Sequence, residues 1–181
     1  MENYSIFVFA QLKNILRPIM NKNERVILNS QATELNKLVG FIENICDEHN
    51  IYNSYYANIV TSVSEAFNNA VIHGNNNDDE KSVILDFTVQ NDGFSFCITD
   101  EGDGFDFSSV ADPTDINNPV EDTGRGIFLM DILSDNLEFK NNGRTACMKF
   151  LISNINKEAA DKRVNKLKAY MHSEVKQTST K

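Results

Sequence analysis

Three groups of residues in this 181-residue chain combine types and spacings that chemistry can use. Glu65, Asn69 and His73 recur every four residues, which stacks them along one side of a helix. That line falls away from the apolar stripe of Val60, Val63 and Phe67, so it reads either as a solvated face or as the wall of a site. Asn68 and Asn69, adjacent inside a helix, lower its propensity relative to alanine, a cost accepted where an amide has a task. A second group is Asp100-Glu101-Gly102-Asp103-Gly104. Here a strand delivers a carboxylate to a turn whose glycines admit close approach and positive φ. A calcium loop would need acidic ligands continuing to a closing Glu, which this stretch lacks; an ordinary acidic turn is the alternative. The third group is Thr123-Gly124-Arg125-Gly126-Ile127. Glycines that open a helix leave backbone N–H groups pointing forward of it, and the helix dipole and Arg125 add positive charge. That arrangement suits a phosphate, although such glycines also serve purely steric ends.

The elements that must position these groups follow from periodicity. Arg25 to Leu28 reads as a short strand. Ser30 or Thr33 is placed to cap a helix whose apolar face is Leu35, Leu38, Val39, Ile42, Ile45 and Cys46. A second helix starts near Asn53 or Ser54. It buries Tyr56, Ile59, Val60, Val63, Phe67, Ala70 and Val71 and ends at Gly74 as a C-terminal cap. After the polar loop of residues 75–79, alternation at Val83, Leu85, Phe87 and Val89, then at Phe94, Phe96 and Ile98, predicts a hairpin turning at Asn91-Asp92-Gly93. Residues 105–123 hold Pro113 and Pro119 and no sustained period, the signature of a functional loop or lid. A short helix fits Gly126 to Leu133. A second hairpin joins residues 137–140 to 145–152 through Asn141-Asn142-Gly143. The expected fold is α+β: a two-layer sandwich with a mixed, mostly antiparallel sheet covered by helices on one face. The domain is expected at 24–152, with an extension at 1–23 and, at 153–181, a C-terminal amphipathic helix and frayed tail that packs on the edge or docks a partner.

Composition narrows the classes. The net charge of −9 argues against general binding to a nucleic-acid backbone, which requires clustered Lys and Arg, and against an anionic membrane surface. The apolar run Ile6 to Ala10 is far short of the ~20 residues of a spanning helix, and Glu2 precedes it where a signal peptide carries basic residues. Cys46, Cys97 and Cys147 are scattered and odd in number, which reads as reduced, buried thiols in a cytoplasmic protein.

The order of the three groups, helix, then acidic glycine turn, then proline-bearing lid, then Gly-x-Gly helix start, then a late strand Thr, resembles the GHKL ATPase superfamily with its Bergerat ATP-binding fold. Within it the chain resembles the bacterial anti-sigma-factor serine/threonine kinases. The likeness lies in Ser64-Glu65, Asn69 to Gly74, Asp112-Pro113-Thr114 and Gly124 to Met130. The resemblance implies ATP and Mg2+ as ligands. It implies Glu65 as the general base toward a Ser or Thr hydroxyl, a proton that a carboxylate can accept. It assigns Asn69 as the magnesium ligand and Asp100 as acceptor from the adenine amine. Gly102 and Gly104 would lie against the nucleotide. Gly124, Arg125 and Gly126, with Ile127 beside them, would hold the phosphates, and Arg125 would also stabilise the transferring group. Thr145 would support the adenine contact, although Gly143-Arg144-Thr145 departs from the usual Gly-Thr pair. His73 would lie near a phosphate or the magnesium shell, with a structural role as the alternative. The implied function is phosphorylation of a small anti-anti-sigma (STAS-like) protein, with capture of a sigma factor and a homodimer as further implications. The alternative is a nucleotide-gated binding module with little phosphoryl transfer. A sensor histidine kinase would need a phospho-acceptor His on a dimerisation helix, and His49, His73 and His172 offer none.

Overall fold

The computed structural model describes residues 23–51, 53–106 and 122–151. The expected lid, with its Asp112-Pro113-Thr114, the N-terminal extension and the C-terminal helix lie outside or mostly outside these residues. The described strands are β1 (Asn23–Asn29), β2 (Ser82–Gln90), β3 (Gly93–Thr99), β4 (Asn136–Lys140) and β5 (Thr145–Leu151), and the helices are α1 (Leu35–Glu48), α2 (Asn53–Asn69) and α3 (Asp122–Leu133).

The strands form one five-stranded sheet in the order β1-β2-β3-β5-β4. Every pairing in it is antiparallel, so the expected sandwich is borne out with a more uniform sheet than foreseen. Side chains alternate across a strand, which assigns the two faces. Leu85, Phe87, Phe96, Ile98, Met148 and Phe150 are buried toward the helices. They meet Leu38, Ile42 and Ile45 of α1 and Ile59, Val63 and Phe67 of α2 in one core. The opposite face carries polar pairs, including Arg25 on Asp86 through two hydrogen bonds of 2.6 and 2.9 Å.

Four details differ from expectation. No side chain caps α1: the chain enters it through a 3-10 turn at Ala32–Glu34. Gly74 does not act as a left-handed cap, because α2 passes at Asn69 into a π-helical turn, Ala70–Gly74. There the Asn75 N–H donates to the Ala70 carbonyl at 2.7 Å. Helix α3 begins at Asp122, ahead of the expected Gly126. Finally, Cys97 and Cys147 are not free thiols but form a disulfide. They are direct partners in the β3–β5 register, a neighbourhood that a separation of 50 residues hides in the sequence. Cys46 is free and buried, and burial pushes its thiol up to about 11.

Phe67 faces the core from the middle of α2 and is fully buried. Phe67→Ala is expected to destabilise the fold by about 3–5 kcal/mol, as read from chemical denaturation.

Candidate functional site

Where α2 runs out over the sheet, the two layers part and leave a cavity of about 160 Å³. Its walls are largely apolar, including Ile98 of β3, Ile127 and Met130 of α3, and Phe139 of β4. Asn69, His73 and Asp100 supply its polar side chains. The volume is below the ~300–1,000 Å³ of pockets that swallow a whole drug-sized ligand. It therefore suits one flat, largely apolar part of a larger molecule, with one carboxylate to fix its orientation.

Asp100 leaves β3 into the glycine turn and is held from several sides. Its N–H donates to the Arg144 carbonyl at 3.0 Å, which extends the β3–β5 pairing by one residue. Its carboxylate accepts from the Gly102 N–H at 2.8 Å. A Cβ on Gly74 would collide with that carboxylate, and a Cβ on Gly102 would collide with the Gly74 carbonyl. Both positions thus need glycine so that the end of α2 can close on the turn. Gly104 has φ +83, a left-handed conformation that glycine adopts without strain. Burial pushes the Asp100 carboxyl above the usual carboxylate range, opposed in part by the Gly102 N–H and by the charges of Arg144 and Lys81.

The second polar group meets at the other end. Gly126, buried in α3, lies against α2 so closely that an added Cβ would stand 3.1 Å from Asn69 Nδ2 and 3.2 Å from Glu65 Oε2. Glu65 and Asn69 are thereby brought to the first turn of α3, where Gly124 and Arg125 sit. The first four N–H groups of a helix have no intrahelical acceptor and favour an anion. Because α3 starts at Asp122, Gly124 and Arg125 lie within that turn and not ahead of it, and Gly126 follows directly after it.

The structure therefore brings Asn69, His73, Asp100, Gly104 and Ile127 to one cavity, with Gly102 behind the carboxylate and Glu65 and Gly126 packed together beside Asn69; Gly124 and Arg125 precede Gly126 in α3. Thr145 is not brought there. Its hydroxyl lies 3.0 Å from that of Thr99 and accepts from Asn141 Nδ2 at 3.0 Å, on the sheet face opposite the cavity. Its neighbour Ala146 lines the cavity instead.

Two contributors escaped the sequence reading. Asn75 is fully buried. Its Nδ2 donates to the Ser82 carbonyl at 3.0 Å and its Oδ1 accepts from the Glu101 N–H at 2.8 Å, tying the glycine turn to the start of β2. As the first of three consecutive asparagines it carries no distinguishing local signal. Phe105 packs edge-on against Phe139 with ring centroids 5.3 Å apart and walls the cavity at its mouth.

Comparison with known proteins matches residues 28–150 to the histidine kinase-like ATPase domain. This chain belongs to that family. An ATP-binding domain of GHKL type is the level at which the motif resemblance is borne out. Among similar proteins, an anti-sigma F factor of Clostridium perfringens (strain SM101) is 35% identical over 96 residues, covering 50% of this chain and 69% of that protein. A serine-protein kinase RsbW of Bacillus subtilis (strain 168) is 33% identical over 94 residues, covering 48% of this chain and 59% of that protein. The RsbU and RsbW domains of Rv1364c from Mycobacterium tuberculosis align with 72% of this chain and 32% of theirs, at 13% identity and a TM-score of 0.49. Among the described residues no helix is long and apolar enough to cross a membrane.

The state of Asp100 yields a pH dependence. Its folded-state value lies above the unfolded one of ~3.9, so on raising the pH the unfolded chain releases this proton first and the folded state loses stability across that window. The ionised carboxylate therefore costs stability at neutral pH. Asp100→Asn is expected to melt above the wild type near neutral pH in the absence of ligand, with the difference vanishing as the pH falls below about 4. Thermal melts across this range check it.

Proposed function

We propose that this domain binds ATP with magnesium and transfers the γ-phosphoryl group to a Ser or Thr of a small anti-anti-sigma (STAS-like) protein. One observation carries the reading: Glu65 and Asn69 converge on Gly126 at the open side of an apolar slot whose polar end is the Asp100 carboxylate. The names of the relatives, anti-sigma F factor and serine-protein kinase RsbW, point the same way.

The residues fit these ligands. Asp100 offers only acceptors when ionised, so it takes a proton from an exocyclic amine and repels a carbonyl at the same place. The glycine at 126 leaves room beside the Asn69 amide, whose oxygen is of the type magnesium accepts; the ion completes its shell with water and phosphate oxygens. Bound magnesium supplies neutralisation of the phosphate charge. The first-turn N–H groups of α3, together with Arg125, hold and orient the phosphates and stabilise the charge that develops on transfer. Glu65 stands next to Asn69 and accepts the proton of the attacking hydroxyl. His73, on the cavity wall, is taken as a group near a phosphate or the magnesium shell.

Sequestration of a sigma factor and assembly as a homodimer are part of the same reading, as is a cytoplasmic site of action, where ATP is supplied. Residues 1–23 and 153–181 are taken as additions to the catalytic unit. A nucleotide-gated binding module would share every feature of the slot but would not need an acidic side chain beside the magnesium ligand.

Glu65→Gln is expected to leave ATP affinity within about twofold and to lower phosphoryl transfer by about 10²–10⁴-fold, the usual contribution of a general base. Labelled ATP with candidate partner proteins reads this out, and undiminished transfer would remove the base assignment. In Gly126→Ala the gain in helix propensity of about 1 kcal/mol offsets much of the overpacking cost of about 1–3 kcal/mol. The melting temperature should therefore move little while transfer falls, because the new methyl displaces Asn69 and Glu65.

A further inference from the structure

A second group of metal-ligating side chains lies at the end of α1 and shares no residue with the slot at Asp100. Glu24 of β1, Glu48 of α1 and His49, which caps α1, each bring one ligand atom to within 4.8 Å of the others. Strand and helix place them there for separate reasons. Along β1, Glu24 alternates with Val26 and Leu28, which pack into the core, so parity aims its carboxylate at the helical layer. Its register partner is Phe87. The His49 ring rests on that same Phe87, with centroids 5.0 Å apart, and meets Phe94 edge-on at 5.8 Å. These two contacts hold the imidazole in place. Its Nε2 is buried and has no hydrogen-bond partner among the described residues. Glu24 Oε1 stands 3.9 Å from it, too far for a hydrogen bond. The local field favours a cation as well. A helix ends in unsatisfied carbonyls equivalent to about half a negative charge. The last turn of α1 carries no basic residue and closes on Cys46-Asp47-Glu48, so two acidic side chains add to that end instead of opposing it.

We propose that Glu24, Glu48 and His49 bind a divalent transition-metal ion of the zinc type, which clamps the start of β1 to the end of α1. An imidazole nitrogen with two carboxylate oxygens is a donor set that zinc takes, at about 2.0–2.2 Å. Magnesium instead keeps to oxygen ligands in a near-octahedral shell rich in water, so the two ions sort to different sites on this chain. Ligands of a tetrahedral zinc at those lengths lie about 3.3 Å apart. The present separations close to that value by rotation of the two glutamate side chains, of which Glu48 is exposed, while the imidazole stays against its two phenyl rings. Both glutamates also take part in other interactions of the chain. A carboxylate has two oxygens and about four acceptor sites, so one oxygen ligates while the other keeps its partner. Three protein ligands leave the fourth position to water. The ion gives the buried Nε2 of His49 the partner it lacks.

The test is calorimetric titration of the full chain, stripped with a chelator and dialysed, with zinc chloride in the presence of millimolar magnesium and without nucleotide. The wild type is expected to bind one zinc ion ahead of any weaker sites. Glu24→Gln and Glu48→Gln should each lower that affinity by more than about tenfold, the least that even an outer partner of a metal ligand contributes. His49→Ala should abolish it. Asp47→Asn is the control: Asp47 is an exposed acid of the same turn, outside the cluster, and its loss should leave affinity close to that of the wild type. Zinc should also raise the melting temperature of the wild type, because an ion held between β1 and α1 binds the folded chain, and should raise that of Glu48→Gln less. If His49→Ala does not fold, for want of its contacts with Phe87 and Phe94, the exposed Glu48→Gln carries the comparison. Unspecific attraction to an acidic surface would weaken Asp47→Asn as much as Glu48→Gln, and that equality overturns the inference. A wild type that takes up no zinc, or holds it as tightly as the cluster variants do, overturns it as well. None of these outcomes bears on the nucleotide slot, whose residues are untouched.

Discussion

A carboxylate half-sunk in an apolar slot governs this structure. Taking the charge of Asp100 out of water is unfavourable, and the surroundings answer that cost in parts. The Gly102 N–H donates to it, Arg144 and Lys81 bring opposite charge, and the end of α2 closes over it only because Gly74 has no side chain. Asn75 then fastens the turn that carries Asp100 to β2. Remaining unfavourable terms are stored in the ligand-free state and are available to a partner that offers a donor to the carboxylate, a common arrangement at binding sites.

The second constraint is the close approach of α2 and α3. A glycine at 126 lets the helices meet with Asn69 and Glu65 between them, so the carboxamide and the second carboxylate face the anion-favouring start of α3. The π-helical turn after Asn69 has the same effect at the other end. Across it Asn69 and His73 both line the cavity while Asn75 is buried. Such turns recur where a helix is bent to function.

Much of this was legible in the sequence. The apolar stripes of α1 and α2 and the Asn-Asp-Gly and Asn-Asn-Gly turns marked the elements. The ordered trio of polar helix, acidic glycine turn and Gly-x-Gly marked the site. What was not legible depends on parity and on distant pairing. Nothing local decides whether Thr145 or Ala146 points to the cavity, because that is set by the register of β5 on β3. The Cys97–Cys147 bond is hidden for the same reason. Asn75 reads as loop because its partners, Ser82 and Glu101, are supplied by the sheet and the turn. The early start of α3 was missed because glycines at 124 and 126 look like a helix boundary, although the use of Gly126 here is to let another helix come close.

The strand order has one more implication. Two hairpins, β2–β3 and β4–β5, can form from near neighbours, but β3 must find β5 across the whole intervening stretch. Asp100, Ala146, Ile127 and Asn69 become walls of one space only after that seam has closed. A small molecule occupying the space binds the assembled state and not the parted hairpins, so mass action ties its concentration to the integrity of the seam. Long-range pairing of this kind is also slow to form. Supply of the ligand would then act as a brake on unzipping, and the domain's lifetime would follow the energy state of its surroundings.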